Sequence, residues 1–237
     1  MKKSVITSNE RTKYLLSFGF TYDDIIKMYE KSSTVANLTT KNIKRKISDL
    51  NAIGFTDKNI IKMSKVSPVI LTLSVENIIS KIKLFLELGF NKEETLSIIL
   101  KYPQALTVST DNIINKFNCI ISLGFTKEEV IFMVKRYPPL LSLSIENINS
   151  KIQFYDSIGF HDIIISNPLY LMMSVRLAYA RYIFLKENDV NFDKNHSSKL
   201  FLSNNQFEQT YSISNETLLE MYDYDKRQNK EMKLKED

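Results

Sequence analysis

Cysteine, glycine, histidine and long apolar runs are all scarce in this 237-residue sequence. Cys119 is the only cysteine, which excludes an intrachain disulfide and a thiolate metal cluster. A reducing, intracellular setting is the simplest reading, with organelle, bacterial cytoplasm and host cytoplasm left open. No stretch approaches the roughly 18 consecutive apolar residues of a membrane span, so no membrane partner is expected. After Met1-Lys2-Lys3-Ser4 no apolar segment comes before Asn9-Glu10-Arg11, so a secretion signal is disfavoured and no targeting segment stands out. His161 and His196 are the only histidines, and neither falls in a metal-ligand or triad pattern. No glycine is left over for a phosphate-cradling loop. The chain is therefore expected to use no metal, no cofactor and no catalytic residue. Hydrophobic residues at 43% and charged residues at 25% are ordinary globular usage, which excludes wholesale disorder. A net charge of +5 permits an anionic partner without demanding one.

What the chain does contain is a repeat. Its five glycines are Gly19, Gly54, Gly89, Gly124 and Gly159, spaced 35 residues apart and each followed by phenylalanine. A fixed period in this range is the mark of a stacked helical array. Thr39, Ser74, Ser109 and Ser144 keep the same step, as do Pro68, Pro103 and Pro138. In the fifth repeat Pro168 follows Gly159 by nine residues instead of fourteen, and Ser174 follows Ser144 by 30, which agree on a five-residue deletion.

Each repeat reads as two helices. The first opens at Thr21, Thr56, Asn91 or Thr126, residues suited to an N-cap, with Asp24, Asn59, Glu94 or Glu129 three positions on. It ends before the proline. The second is capped by the recurring Ser or Thr and stops at the glycine, a left-handed C-cap residue. Ile78, Ile82 and Phe85 in one repeat, and Ile43, Ile47 and Leu50 in another, form its apolar stripe. No alternating strand pattern competes. The expected fold is all-α, a right- or left-handed α-solenoid of about five to six 35-residue helix-turn-helix repeats. The deletion predicts a first helix of only about one turn in the fifth repeat, His161 to Ser166.

The turns Lys101-Tyr102-Pro103-Gln104-Ala105-Leu106 and Arg136-Tyr137-Pro138-Pro139-Leu140-Leu141-Ser142-Leu143-Ser144 resemble the proline-leucine signature of mitochondrial transcription termination factor (mTERF) repeats. Leu123-Gly124-Phe125-Thr126-Lys127-Glu128-Glu129-Val130 is similar to the start of the same repeat. The resemblance covers residues 12–190, with looser similarity around Asn204-Asn205-Gln206-Phe207. It implies double-stranded DNA or RNA as partner, bound through a basic surface, and a role in organellar transcription or ribosome assembly. Departures from the pattern are Ser33 where proline is expected, the truncated fifth repeat, and no evident organelle-targeting extension.

One column of residues could carry that binding. Eight positions before each glycine stands a cation: Arg11, Lys46, Lys81, Lys116 and Lys151, with Arg181 in a decayed sixth repeat. Four positions earlier in the helix stand Asn42, Asn77, Asn112 and Asn147. Residues at i and i+4 share a helix face. By helix angle this face lies on the lip of the apolar stripe, so the column reads as a solvated basic row suited to phosphate oxygens. The same placement also suits lysine stems lying on the core with their ammonium groups in water. Lys31, Lys65, Lys101, Lys135 and Arg136 sit near first-helix ends, where cations suit the dipole. Tyr102 and Tyr137 are read as packing residues, and Cys119 as a structural thiol.

Residues 1–190 are read as the repeat array, 191–224 as a C-terminal capping segment with a helix from Asn215 to Tyr224, and 225–237 as a charged tail. The favoured function is a monomeric binder of duplex nucleic acid in transcription regulation, termination or RNA assembly. The alternative is a protein-interaction scaffold with a protein partner on a concave face. Abundant Ile, Asn and Lys suggest an AT-rich genome, which adds a bacterial host-directed effector to that alternative.

Overall fold

A computed structural model describes residues 9–188, 190 and 198–222. Among these the chain forms fourteen α-helices, four proline-led 3₁₀ turns and no strand. His196, the linker 191–197 and the tail from residue 223, hence the expected segment 225–237, lie outside the described residues. The chain divides into two compact units, residues 1–114 and 115–237.

Each element of the repeat has a local cause. First helices Tyr22–Lys31, Lys92–Lys101 and Lys127–Arg136 open on reciprocal capping boxes, Thr21 with Asp24, Asn91 with Glu94 and Thr126 with Glu129. Asp57–Val66 has the Thr56 half only, its hydroxyl accepting from Asn59 N–H. Pro68, Pro103, Pro138 and Pro168 occupy the first position of the 3₁₀ turns, where their missing N–H costs nothing. Ser33 takes the place of proline in the first repeat, and Ser32 caps a short α-turn, Ser33–Ala36, instead.

Second helices such as Thr40–Ile53 and Val75–Leu88 end in Schellman turns. Gly54 N–H donates to Asn51 O and Phe55 N–H to Leu50 O, and φ is positive at all five glycines, from 75° to 122°. The motif places an apolar residue directly after the glycine, and Phe20, Phe55, Phe90, Phe125 and Phe160 are all buried. That explains the Gly-Phe pairing.

In the unit 1–114, like packs on like. First helix Tyr22–Lys31 meets Asp57–Val66, which meets Lys92–Lys101, and second helix Glu10–Phe18 meets Thr40–Ile53. The unit 115–237 repeats the plan: Lys127–Arg136 meets His161–Ser166, Ile145–Ser157 meets Val175–Glu187, and the turns Pro138–Ser142 and Pro168–Met172 meet each other. His161–Ser166 is six residues long, as the deletion predicts. It lacks a side-chain N-cap; the His161 ring instead stacks on Phe125 with centroids 4.1 Å apart.

The last described elements are Asn204–Tyr211, opened by the capping box Ser203–Gln206, and Asn215–Met221. The second packs on Val175–Glu187. Phe207 and Leu218 are fully buried.

Candidate nucleic-acid interface

The second helix of each repeat presents its N-terminal turn to solvent. Ser or Thr Oγ accepts from the N–H of residue N3, which is Asn42, Asn77, Asn112 or Asn147. This leaves the four asparagine side chains exposed. An exposed amide beside helix N-terminal N–H groups and a positive dipole end is a suitable setting for an anion.

The basic column goes elsewhere. Lys46, Lys81, Lys116 and Lys151 are only 7, 4, 5 and 5% exposed, and Arg181 is 0% exposed. In the unit 115–237, Lys116 Nζ donates to Leu141 O and Lys151 Nζ to Leu171 O. These acceptors are equivalent carbonyls near the end of the next repeat's proline turn. In the unit 1–114, Lys81 Nζ donates to Thr110 Oγ1 at 3.2 Å. Arg11, half-buried, donates from Nη1 to Leu38 O at 2.8 Å and from Nε to Tyr29 Oη at 2.9 Å. Each of these cations latches its helix to the following repeat.

The expectation of a solvated row is thus corrected. A single helix, with its apolar positions alone, puts the lysine on a lip; the stacked turn of the next repeat covers that lip. Desolvation lowers the pKa of Lys46, Lys81, Lys116 and Lys151 below the usual lysine value, and pushes Arg181 down to about 10.

Arg181 closes the series. Its guanidinium donates to Leu200 O and Leu202 O and to the side-chain oxygens of Asn204 and Asn215, and lies 4.3 Å from the Phe207 ring centroid. Five donors meet only neutral acceptors, which the fork geometry of arginine suits and an ammonium does not.

Lys46 is the exception. No described residue accepts a hydrogen bond from its ammonium or pairs with it as a salt bridge, although it is as buried as its equivalents. It lines an open cleft of about 590 Å³ with Asn42, Arg45, Asp49, Ser74 and Glu76. Burial is the main cause of its lowered pKa; Asp49 and Glu76 oppose the shift and Arg45 adds to it. The sequence reading missed Arg45, Asp49 and Glu76. The signal was present, because 42, 45, 46 and 49 are spaced i, i+3, i+4, i+7 and must share a face.

Of the other candidates, Lys31 donates to Lys65 O in the last turn of Asp57–Val66, as dipole reasoning expects, whereas Lys65 pairs with the carboxylate of Asp24 at 2.9 Å. Cys119 is partly buried, and burial raises its thiol pKa. Among the described residues no group of three or more His, Cys, Asp or Glu side chains could hold a metal, and no helix is long and apolar enough to cross a membrane.

Repeated helix pairs joined by proline turns and stacked like on like define a helical-repeat protein. A family model for mTERF matches residues 33–208. The chain belongs to the mTERF family, whose members are in general nucleic-acid-binding helical-repeat proteins. A search among curated proteins gives no match.

Proposed function

We propose that this chain binds double-stranded nucleic acid, DNA or RNA, and acts in transcription regulation, termination or RNA assembly. The observation that carries the reading is where the exposed charge lies. Twelve of the fifteen Lys and Arg side chains between residues 9 and 114 are exposed, among them Lys41, Lys44, Arg45 and Lys83 on the second helices that also carry Asn42 and Asn77. Cations and amides of this kind suit phosphate oxygens, which fix position without reading sequence. The latched members of the column serve the interface indirectly, by holding the helix N-termini in register.

Fluorescence anisotropy with duplex DNA and duplex RNA at several salt concentrations tests this. Four phosphate contacts would make log K fall with log salt at a slope of about −3.6. Lys41→Ala with Arg45→Ala is expected to flatten that slope by about two units and weaken all sequences alike. Absence of micromolar binding at low salt rejects the reading, and a protein partner then becomes the leading one.

A further inference from the structure

All five other column members reach an acceptor in the repeat that follows or, for Arg181, in the C-terminal segment; that acceptor is a threonine hydroxyl for Lys81 and a backbone carbonyl for the rest. Lys46 has the same position in its helix, the same burial and no acceptor. Its ammonium opens onto the cleft, so whatever occupies the cleft must supply its acceptors, and an anion there would pair with a charge that burial has partly stripped of water. The cleft in front of it is open and polar-lined. Its far wall is the N-terminus of the 14-residue helix Val75–Leu88. The Ser74 hydroxyl accepts the N–H of Asn77, which leaves the N–H groups of Val75 and Glu76 as orphan donors at the positive end of the dipole.

From this geometry we propose that the cleft at Lys46 binds one phosphate group, supplied by a nucleic-acid backbone. This rests on the duplex-binding reading above and assigns the phosphate its place. The charge of the lining selects the form of phosphate. Arg45 and Lys46 contribute two positive charges, and Asp49 and Glu76 two negative ones. Only the helix terminus, about half a charge, tips the balance toward an anion. A singly charged phosphodiester fits such a site better than a dianionic monoester or free phosphate, because each further negative charge meets two carboxylates. Asn42, exposed on the cleft wall, adds an amide donor to the oxygens that Lys46 does not reach.

The test uses the full chain and four variants. Lys46→Met keeps the stem and removes the charge, Lys46→Arg restores a charge, Glu76→Gln removes an exposed carboxylate, and Lys81→Met is the latched control. Duplex affinity is measured against salt, and backbone amide shifts of Val75 and Glu76 are followed by NMR with duplex and with inorganic phosphate. Lys46→Met is expected to weaken duplex binding about fivefold and flatten the salt slope by about 0.9, one phosphate contact. Lys46→Arg should recover most of both, and Glu76→Gln should tighten binding about twofold. The Val75 and Glu76 amides should shift with duplex, and shift little with inorganic phosphate below tens of millimolar. If duplex binds but Lys46→Met matches wild type and those amides do not move, the cleft assignment is overturned while the duplex reading stands. If duplex does not bind yet inorganic phosphate moves those amides in wild type and not in Lys46→Met, the cleft is a small-anion site, and the backbone source and the duplex reading both fall. A Lys46→Met variant that fails to fold leaves Glu76→Gln to decide: unchanged or weaker duplex binding there rejects the site.

Discussion

Residues 1–114 carry seventeen basic and eleven acidic side chains, whereas residues 115–237 carry fifteen and sixteen. Repeats of one pattern build both units, with Gly-Phe helix ends and proline turns in each, so the fold does not require this asymmetry. In the second unit the column cations are all satisfied, Lys116 and Lys151 on turn carbonyls and Arg181 in its neutral cage. In the first unit one of them, Lys46, is left without an acceptor and faces a cleft. A repeat position can thus be latched in most copies and face a cleft in one. Periodicity alone does not tell these copies apart; the partner that each one reaches does.

The largest effect that would sharpen this contrast is at Arg181. Removing it in Arg181→Ala orphans the carbonyls of Leu200 and Leu202 and the oxygens of Asn204 and Asn215, and opens a cavity against Phe207. A loss of about 3–5 kcal/mol is expected, localised to the second unit. Urea denaturation gives the magnitude, and hydrogen exchange shows whether protection in residues 9–114 survives. Arg181→Lys should also cost about 2 kcal/mol, since an ammonium cannot span the four acceptors. A loss below 1 kcal/mol for the alanine variant would show that the cage contributes nothing and that the second unit is not closed by it.

The next effect compares two lysines directly. Lys116→Met keeps the buried stem but leaves Leu141 O unpaired, a cost of about 1–2 kcal/mol. Lys46→Met removes a partly desolvated charge and abandons no acceptor, so it should be neutral or slightly stabilising. Equal destabilisation by the two, measured by denaturant titration, would break the distinction between latched and open copies.

Alkaline pH separates the units more finely. Tyr155 Oη donates to Tyr170 O, and burial, then the neighbouring Tyr170, pushes its hydroxyl pKa well up from the ordinary tyrosine value. A group whose folded pKa is raised contributes stability that is complete below the unfolded value near 10 and is lost as pH climbs toward the folded one. The loss is roughly 1.4 kcal/mol per pH unit over that window. Tyr222, pushed up to about 12 by burial and its bond to Glu187, acts in the same direction. Tyr155→Phe should therefore flatten the fall in stability above pH 10, read from denaturation midpoints between pH 9 and 12. An unchanged slope would mean that Tyr155 ionises without disturbing the second unit.

Much of the fold was legible because its signals are local. A cap, a proline turn and a glycine with positive φ each depend on a few adjacent residues, so Thr126-Lys127-Glu128-Glu129 or Leu123-Gly124-Phe125 read correctly in isolation. The site was harder. Lys81 sits three after Ile78 and four before Phe85, inside the buried stripe, but a stripe drawn from apolar residues alone leaves it on the rim. What buries Lys116 and Lys151 lies 25 and 20 residues further on, in the turn of the next repeat. The helix Asn204–Tyr211 escaped notice for a related reason: it buries only Phe207, so it has almost no stripe, and its one local signal is the Ser203–Gln206 box.

The smallest expected effect tests the glycine column across the two units. At Gly19 φ is 118° and a Cβ would lie 3.0 Å from Ile61 Cδ1, on the first helix of the neighbouring repeat. Gly54 repeats the arrangement, 3.4 Å from Leu96 Cδ1. At Gly159 φ is 75° and no described residue lies within 4 Å of such a Cβ. Alanine at either end meets the left-handed penalty of about 1–2 kcal/mol for a residue with a Cβ. Only at Gly19 must it also displace a packed side chain. Ile61 Cδ1 is the flexible end of its chain, so the extra cost should be modest, about 0.5–1 kcal/mol. Gly19→Ala is therefore expected to destabilise more than Gly159→Ala by that amount in urea titrations of the full chain. If Gly159→Ala is as damaging as Gly19→Ala, backbone conformation alone accounts for the column, and close approach of the next repeat's first helix plays no part in fixing glycine there.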